Sequence, residues 1–428
     1  MELALSPTRT ELPLRELLHL MALSREGDRR EGILLRQGKG WFQVSGMGHE
    51  ALAAIAYLLT PSDYLFPYYR DRALVLARGV TNYDLALAYF AKRHSSSGGR
   101  QMPGHFSDRS RNIFSVATPT ASQCIPAAGA AWGAKMEGGD RIVVCTVGDA
   151  AIREGEFYEA VAFALQELLP VVYVIEDNRY GISTPTASMF PYRLGALGEA
   201  CMRHIDARDA VTVYDAAAEA IAKARSGGGP TALWCDVDRL CSHTSSDDQR
   251  VYRAIDDLTA DQERDPIDLL AARLIRDGLM TAAEWEAELA DIVRRVDGDY
   301  RTASSDEDPE PAEAGRELFG PVFAPEPPPV QFGSATNMVS AVNETLLRAL
   351  QQNDRVVIFG EDIEDPKGGV FGITKGLSHR FPGRVLNSPL AEATIVGVAV
   401  GLSATGWTPV FEVQFIDFIG PALNQLMN

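Results

Sequence analysis

Apolar residues in the amino-terminal part of the chain recur at spacings of three and four, which is the period of a helix with one buried face. This pattern predicts helices over residues 14–37, 49–59 and 82–93. The pattern changes over residues 113–237, where short β-branched runs alternate with helical segments and glycine-rich turns. Such alternation is typical of a doubly wound parallel sheet, so we predict an α/β fold.

One strand–helix–strand crossover is especially regular. Two buried-strand runs, residues 141–147 and 171–175, flank a segment, residues 154–168, whose apolar positions have helical spacing. A right-handed crossover makes the two strands parallel. We therefore expect Asp149 and Asn178, which follow the two strands, at the same carboxyl edge of the sheet, where open α/β sheets bind ligands.

Asp149 and Asn178 would offer a carboxylate and an amide oxygen, and a carbonyl of the loop after Asn178 could join them. Oxygen ligands of this kind suit Mg²⁺ holding a diphosphate. The alternative is that Gly148-Asp149 and Asn178 are ordinary turn residues, as matches to short motifs often are. We favour the metal site because both ends of one crossover carry a suitable oxygen.

A linker is predicted after a further helical pattern at residues 266–294. Residues 301–333 are rich in proline and acidic residues and cannot bury enough apolar surface to fold alone, so they are interpreted as a semi-rigid linker. It separates a first domain, residues 1–300, from the start of a second α/β domain, residues 334–428. The second domain is predicted to contain strands at 356–359 and 410–415 and helices at 334–352, 394–405 and from 421 onward.

Two or three strands make a small sheet, so we expect this second domain to be truncated or to be completed by another polypeptide.

Composition narrows the functional classes. The 428 residues carry a formal net charge of −18, which argues against a nucleic-acid surface because phosphate binding needs an excess of Lys and Arg. The five cysteines form no Cys-x-x-Cys pair, so buried reduced thiols are expected rather than disulfides. Neither a secretory signal, a transit peptide nor a long apolar run is present, and a cytoplasmic location is expected.

Several motifs in order resemble the decarboxylating first component of 2-oxo acid dehydrogenase complexes, which uses thiamine diphosphate. The resemblance is to its α subunit over residues 14–300 and to the start of its β subunit from about residue 335. The motifs are Gly99-Arg100-Gln101-Met102-Pro103-Gly104-His105, residues 148–157, Ser242-His243-Thr244-Ser245-Ser246-Asp247-Asp248, Gly360-Glu361-Asp362 and Asn387-Ser388-Pro389-Leu390-Ala391-Glu392.

The resemblance implies a thiamine diphosphate-binding fold followed by an incomplete pyrimidine-binding domain, and it implies a set of cofactor residues. Asp149, Asn178 and the Tyr180 carbonyl would bind Mg²⁺. The remaining cofactor contacts implied in the first domain are Tyr69, Arg70, Thr118, Thr120, Gly148, Ala150 and Ala151. The guanidinium of Arg70 suits phosphate oxygens, although an arginine paired with Asp71 on a helix surface is the alternative.

The resemblance also implies catalytic residues. Glu392 would hydrogen-bond the pyrimidine ring of the cofactor; by its position alone it reads as a first-turn glutamate that complements a helix dipole. His243 and His105 would lie beside the diphosphate and the reacting acyl group. Leu390 and Phe418 would contact the cofactor from the second domain, although Phe418 could equally be a core residue.

Three departures from the family pattern stand out. Ala150 replaces the third residue of Gly-Asp-Gly, and Thr120 replaces a bulky apolar residue. Glu176 stands where branched-chain enzymes have an arginine for the diphosphate, which resembles the pyruvate type instead. The Ser/Thr cluster after His243 resembles a regulated phosphorylation loop, but we expect it to order the loop through Asp247 and Asp248.

The predicted function is oxidative decarboxylation of a branched-chain 2-oxo acid, 3-methyl-2-oxobutanoate above all, with acyl transfer to a lipoyl group of an acyltransferase partner. Pyruvate is the second choice of substrate. A transketolase-like carboligase and an inactive or regulatory fragment remain alternatives. The resemblance implies a homo-oligomer or an α/β-type assembly, and no membrane partner is expected.

Overall fold

The computed structural model describes residues 12–188, 201–316 and 336–428. The chain divides into two compact units, Met1–Pro309 and Glu310–Asn428. Each unit has its own parallel sheet. The predicted α/β fold with a parallel sheet in each unit is therefore confirmed.

The first unit is built around a five-stranded sheet in which every neighbouring pair is parallel. The strands of the unit are β1 (Tyr64–Phe66), β2 (Val143–Gly148), β3 (Val171–Asp177), β6 (Met202–Asp206) and β7 (Thr231–Asp236), with a small hairpin of β4 (Tyr180–Gly181) and β5 (Thr184–Pro185). The sheet order is β1-β2-β3-β7-β6. The chain thus passes from β1 at one edge through β2 and β3 to β6 at the other edge, and only the last step, from β6 back to β7, reverses direction.

Helices cover both faces of this sheet. The α-helices of the first unit are α1 (Leu14–Arg36), α2 (Arg72–Ala77), α3 (Asn82–Tyr89), α4 (Cys124–Glu137), α5 (Gly155–Gln166), α6 (Ala210–Arg225), α7 (Ile255–Gln262), α8 (Pro266–Arg276) and α9 (Ala282–Ser304). Val144 and Val172 belong to the core shared with α1 and α6. Tyr173, the next residue of β3, points to the other face, where its hydroxyl donates to the Cys124 carbonyl at 3.2 Å.

The register of β2 and β3 positions the predicted site. Gly148, the last residue of β2, pairs with Glu176, so the two strands end side by side. Asp149 and Asn178 therefore emerge at the same carboxyl edge, as the crossover predicts.

The helix predicted over residues 82–93 ends earlier, as α3 at Tyr89, and two other predicted helices differ in winding or number. The segment predicted as a helix at 49–59 is a 3₁₀ helix, Glu50–Leu58. Over nine residues, apolar positions at i and i+3 fit a 3₁₀ helix and an α-helix equally well, so the sequence does not distinguish them. The segment predicted at 266–294 is two helices, α8 and α9. Gly278 adopts a φ of 70° after α8, and Thr281 and Glu284 form a capping box that starts α9.

The first part of the predicted linker lies within the described residues. Helix α9 continues through Ser304, and the next three acidic residues pair with three basic ones: Asp308 with Lys92 at 2.7 Å, Glu307 with Arg93 at 3.4 Å and Asp306 with His94 at 2.6 Å. The later part of that linker, residues 317–333, lies outside the described residues.

The second unit contains a three-stranded parallel sheet of order β10-β8-β9. Its elements are α10 (Met338–Gln352), β8 (Val356–Gly360), α11 (Leu377–Arg380), β9 (Val385–Asn387), α12 (Glu392–Ala404), β10 (Thr408–Glu412) and α13 (Leu423–Met427). Leu350, Val356 and Ile358 belong to its own small core. Nowhere in the described parts of either unit is a helix both long enough and apolar enough to cross a bilayer.

Candidate functional site

A cavity of about 440 Å³ opens at the carboxyl edge of the first sheet. All site residues that the sequence predicts in the first domain line it: Tyr69, Arg70, His105, Thr118, Thr120, Gly148, Asp149, Ala150, Ala151, Asn178, Tyr180 and His243. They come from distant parts of the chain and meet because β1, β2, β3 and β7 all end at this edge. Phe42, Val44 and Met102 add an apolar part to the wall.

Asp149 is a buried carboxylate without a cationic partner among the described residues. Its side chain is held by the Thr186 hydroxyl, which donates to Oδ2 at 2.6 Å. Burial and the nearby charge of Asp177 raise the pKa of Asp149 to about 7. A carboxylate in this situation is stabilised in its charged form by a bound cation.

Asn178 directly follows β3, and Tyr180 is the first residue of the β4–β5 hairpin. The Tyr180 N–H donates to Asn178 Oδ1 at 3.3 Å, which ties the amide to the loop. Asp177 stands next to Asp149 but does not line the cavity, and its carboxylate accepts the Trp234 indole N–H at 2.9 Å and the Arg179 N–H at 2.8 Å.

No group of three or more His, Cys, Asp or Glu side chains in the part of the chain that the structure describes could hold a metal. A cation at this edge would depend on one carboxylate, one amide oxygen and main-chain oxygen, and this set suits Mg²⁺.

Arg70 is a buried cation that also lines the cavity. The residue is 2% exposed, and within the described parts of the chain its guanidinium donates to neutral groups only: the Ser45 carbonyl at 2.5 Å, the His243 carbonyl at 3.0 Å and Nδ1 of His243 at 3.0 Å. The alternative pairing with Asp71 is absent, since Asp71 accepts from the Tyr68 N–H and the Thr146 hydroxyl instead. An arginine buried without a carboxylate suits an anionic ligand such as a diphosphate.

His243 lies in the loop that follows β7, and its ring meets Tyr69 edge-on at 6.4 Å. Burial and the charges of Arg70 and Arg239 lower its pKa to about 4, so the ring is neutral at neutral pH. Asp247 orders this loop by accepting the His243 N–H at 2.7 Å, and Asp248 accepts the Arg250 N–H at 3.1 Å. These hydrogen bonds agree with the expectation that Asp247 and Asp248 order the loop after His243.

His105, Thr118 and Thr120 form the outer lip of the cavity. Thr118 Oγ1 lies 3.1 Å from Nε2 of His105, whose Nδ1 is 3.3 Å from the Pro103 carbonyl. Thr118 and Thr120 are exposed. This wall is therefore the open side of the cavity.

Gly148, Ala150 and Ala151 form its floor between β2 and α5. Ala151 begins a short 3₁₀ turn, Ala151–Arg153, and α5 starts at Gly155. The Ala150 methyl, a departure from the family pattern, lies 2.7 Å from the place that a Cβ on Gly181 would occupy. Glycine at position 181 thus accommodates the extra methyl.

A buried network next to the cavity contains two residues that the sequence analysis does not single out, His49 and Tyr68, together with Glu176. His49 Nδ1 lies 2.6 Å from Glu176 Oε2, and the Tyr68 hydroxyl donates to the same oxygen at 3.2 Å. Nε2 of His49 is 3.5 Å from Nδ2 of Asn178. Burial, followed by the charge of Asp71, raises the pKa of Glu176. Glu176 therefore supports a residue of the cavity and does not line it.

Glu392, Leu390 and Phe418 belong to the second unit. Glu392 is the first residue of α12, half-buried, near the buried Glu361 at the end of β8. Burial and the charges of Glu392 and Asp362 raise the pKa of Glu361. Leu390 is 85% exposed, and the partly exposed Phe418 ring meets Phe415 edge-on at 5.8 Å. Phe418 is thus not a core residue within the described part of this unit.

Comparison with known proteins finds two family models along the chain. The model described as "Dehydrogenase E1 component" matches residues 19–312, and the model described as "Transketolase, pyrimidine binding domain" matches residues 334–428.

Individual relatives come from bacteria and plants. The 2-oxoisovalerate dehydrogenase subunit alpha of Bacillus subtilis (strain 168) is 34% identical over 289 residues, which cover 66% of this chain and 87% of the relative. The pyruvate dehydrogenase E1 component subunit alpha of the same organism is 30% identical over 323 residues, covering 74% of this chain and 83% of the relative. The mitochondrial 2-oxoisovalerate dehydrogenase subunit alpha 2 of Arabidopsis thaliana is 34% identical over 225 residues, covering 51% of this chain but only 48% of the relative.

Proposed function

The chain belongs to the dehydrogenase E1 component family, and from that premise we propose that it oxidatively decarboxylates a branched-chain 2-oxo acid. The family is the thiamine diphosphate-dependent first component of 2-oxo acid dehydrogenases, and both matched domains bind this cofactor, typically with Mg²⁺. The observation that carries the proposal is the cavity at the sheet edge, in which an unpaired buried cation and an uncompensated buried carboxylate face one space.

The two charges suit a metal diphosphate. We assign Arg70 to the phosphate oxygens, with Tyr69 beside it and the main chain at Gly148, Ala150 and Ala151 below. We assign Asp149, Asn178 and the Tyr180 carbonyl to Mg²⁺, and Thr118 and Thr120 to the middle of the cofactor. Bound thiamine diphosphate supplies the electron sink that decarboxylation of a 2-oxo acid needs.

The histidines can hold protons at defined atoms. Because Nδ1 of His243 accepts from Arg70, the neutral ring carries its hydrogen on Nε2, which can donate to the substrate. His105 accepts or donates through Nε2, beside Thr118. We assign both residues to the reacting acyl group and Glu392 to the pyrimidine ring, with Leu390 and Phe418 as further contacts.

The choice of substrate rests on two observations of unequal weight. The Bacillus relative named for 2-oxoisovalerate is 34% identical, against 30% for the one named for pyruvate, and this favours a branched-chain acid. Pyruvate is the second candidate, because Glu176 resembles the pyruvate type. Apolar pockets discriminate weakly, by roughly 1–3 kcal/mol per methylene group, so one enzyme can accept both acids.

The proposed partner is the lipoyl group of an acyltransferase, since E1 components act within 2-oxo acid dehydrogenase complexes. We further propose an oligomer, in which α-type and β-type domains of different protomers share the cofactor. A lipoyl domain reductively acylated by the purified chain would support this reading over a transketolase-like transfer to a sugar phosphate.

The test is decarboxylation of 3-methyl-2-oxobutanoate and of pyruvate by the purified chain with thiamine diphosphate, Mg²⁺ and an artificial electron acceptor. We expect a higher kcat/KM for the branched-chain acid and loss of turnover in Glu392→Gln. A higher value for pyruvate would move the assignment to the second candidate. Turnover of neither acid despite Mg²⁺-dependent cofactor binding would favour the inactive or regulatory alternative.

A further inference from the structure

His49 is a buried histidine for which the proposed reaction gives no role. It is 3% exposed and lies behind the cavity, between a carboxyl group of β3 and the proposed metal ligand Asn178. One ring nitrogen, Nδ1, is 2.6 Å from Glu176 Oε2. The other, Nε2, is 3.5 Å from the amide nitrogen of Asn178. The ring thus connects Glu176 to the residue that would bind the ion.

The neighbours of the ring determine which nitrogen carries the hydrogen. The Tyr68 hydroxyl lies 3.3 Å from Nδ1 of His49 and donates to Glu176 Oε2 at 3.2 Å. A proton on the Glu176 carboxyl therefore belongs on its other oxygen, Oε1, and Oε2 acts as an acceptor toward His49. Nδ1 of His49 therefore donates to Glu176, and Nε2 keeps its lone pair. A lone pair at Nε2 can only accept, and the group before it is the NH₂ of Asn178.

This assignment decides how the Asn178 amide is oriented. With Nδ2 bound to His49, Oδ1 lies on the other side, where it also accepts the Tyr180 N–H at 3.3 Å. An asparagine can bind a cation only through this oxygen. The opposite ring tautomer would require Oδ1 as its acceptor and would present the NH₂ group to the ion.

We propose that His49 is a positioning residue of the metal site, which holds the Asn178 amide with its oxygen available to Mg²⁺, while Glu176 fixes the tautomer of His49. The inference rests on the proposed function, since it takes Asn178 as a ligand of the ion that accompanies thiamine diphosphate. Groups that orient metal ligands typically change metal affinity by about 10- to 100-fold when they are mutated.

The first test compares His49→Leu with His49→Gln by calorimetric titration of Mg²⁺ into protein with thiamine diphosphate. Leucine cannot accept from Asn178, so we expect the Mg²⁺ affinity to fall about tenfold or more. Glutamine offers one acceptor and one donor, so the affinity of His49→Gln is expected within about threefold of wild type. The matched control is His19→Leu, which removes another histidine–glutamate pair, 2.9 Å long, on α1 away from the cavity.

If His49 only positions a metal ligand, a high Mg²⁺ concentration should restore the function of His49→Leu. Cofactor affinity and kcat of His49→Leu should return to wild-type values when Mg²⁺ is saturating, because the variant lacks only the orientation of one ligand. Wild-type Mg²⁺ affinity in His49→Leu, or an equal loss in the leucine and glutamine variants, would overturn the proposal. A loss that saturating Mg²⁺ does not reverse would also overturn it, since that indicates a structural role alone.

A second measurement uses the unmodified protein. The chain has only 7 histidines, so a spectrum of ¹⁵N-histidine-labelled protein can resolve the His49 ring. We expect a neutral ring with its hydrogen on Nδ1; a hydrogen on Nε2 would overturn the proposal even if the leucine variant fails to fold. Absence of Mg²⁺-dependent cofactor binding in the wild type would instead overturn the proposed function, so the two failures are distinguishable.

Discussion

Arg70 carries a buried positive charge that forms no ion pair with a carboxylate among the described residues, and this makes it the residue most directly suited to bind an anion. We predict that Arg70→Met weakens binding of thiamine diphosphate by about 10- to 100-fold, because a hydrogen bond to a charged group contributes roughly 1.5–3 kcal/mol. Calorimetric titration of the cofactor in saturating Mg²⁺ measures the effect.

The matched control is Arg78→Met. Arg78 is equally buried, at 1% exposure, and donates to the carbonyls of Thr60 and Arg111, but it does not line the cavity. It should lose stability without losing cofactor affinity. Equal losses of cofactor affinity in the two variants would contradict the role of Arg70.

His243 predicts a pH dependence of stability. Its pKa falls from 6.5 to about 4 on folding, so between these values the unfolded chain binds more protons than the folded chain. The free energy of unfolding should therefore decrease as the pH is lowered through this window. His243→Gln should show a shallower decrease in urea unfolding followed at several pH values; identical slopes would show that the ring titrates alike in both states.

At the residue level, the sequence predicts much of the cavity but not what stands behind it. Asp149 and Asn178 could be predicted because a parallel crossover brings the ends of its two strands to one edge. His49 could not, because it lies within an apolar helical pattern far from Asn178 in sequence, and its partners become neighbours only through packing. Its one signal is a histidine beside a glutamate, His49-Glu50, in an otherwise apolar stretch.

At the level of elements, the sequence predicts the strands better than the ends and windings of helices. The β-branched runs at β2 and β3 are buried on both faces, so their patterns are unambiguous. The sequence does contain signals for the break between α8 and α9, namely Gly278 and the capping box of Thr281 and Glu284. The prediction missed them because it followed apolar periodicity alone. The 3₁₀ winding of Glu50–Leu58 leaves no such local signal.

The turn that leads into this 3₁₀ helix yields a prediction about glycine. Gly48 has a φ of 98°, and a Cβ placed on it would lie 1.8 Å from the Asp238 carbonyl oxygen. The main chain there cannot move aside easily, and the positive φ is unfavourable for alanine. We therefore predict that Gly48→Ala lowers the free energy of unfolding by more than about 2 kcal/mol, because strain and overpacking add.

Gly298→Ala is the control, because Gly298 lies within α9 and its added methyl would meet nothing within 4 Å. This substitution should be neutral or stabilise the helix by up to about 1 kcal/mol. Chemical unfolding of both variants measures the difference. A tolerated Gly48→Ala would show that the main chain at Asp238, two residues after β7, can move aside.

At the scale of the whole molecule, the acidic run after α9 is held against the first unit by complementary charge. Lys92, Arg93 and His94 pair in reverse order with Asp308, Glu307 and Asp306, and the Arg93 N–H donates to the Glu307 carbonyl at 2.9 Å. Each exposed pair contributes little, about 0.2–1 kcal/mol, but together they fix where the chain leaves this unit.

We predict that reversing two charges, Asp306→Lys with Asp308→Lys, abolishes the hydrogen-exchange protection of the Arg93 amide while the core strands keep theirs. The control is Asp256→Lys with Glu286→Lys, which changes the net charge equally at two exposed positions. Protection of Arg93 in the wild type should also weaken in high salt, because exposed pairs are screened. Unchanged protection in the reversed variant would show that the charges do not hold the segment.

The most direct test of the central claim is calorimetric titration of thiamine diphosphate into the purified chain with and without Mg²⁺, alongside Asp149→Asn. We predict that thiamine diphosphate binds saturably and only in the presence of Mg²⁺. In Asp149→Asn the affinity for the cofactor should fall by at least about tenfold, because the variant lacks the one carboxylate of the site. Absence of binding in the presence of Mg²⁺, or binding that neither Mg²⁺ nor Asp149 affects, would contradict the assignment of this cavity to the cofactor.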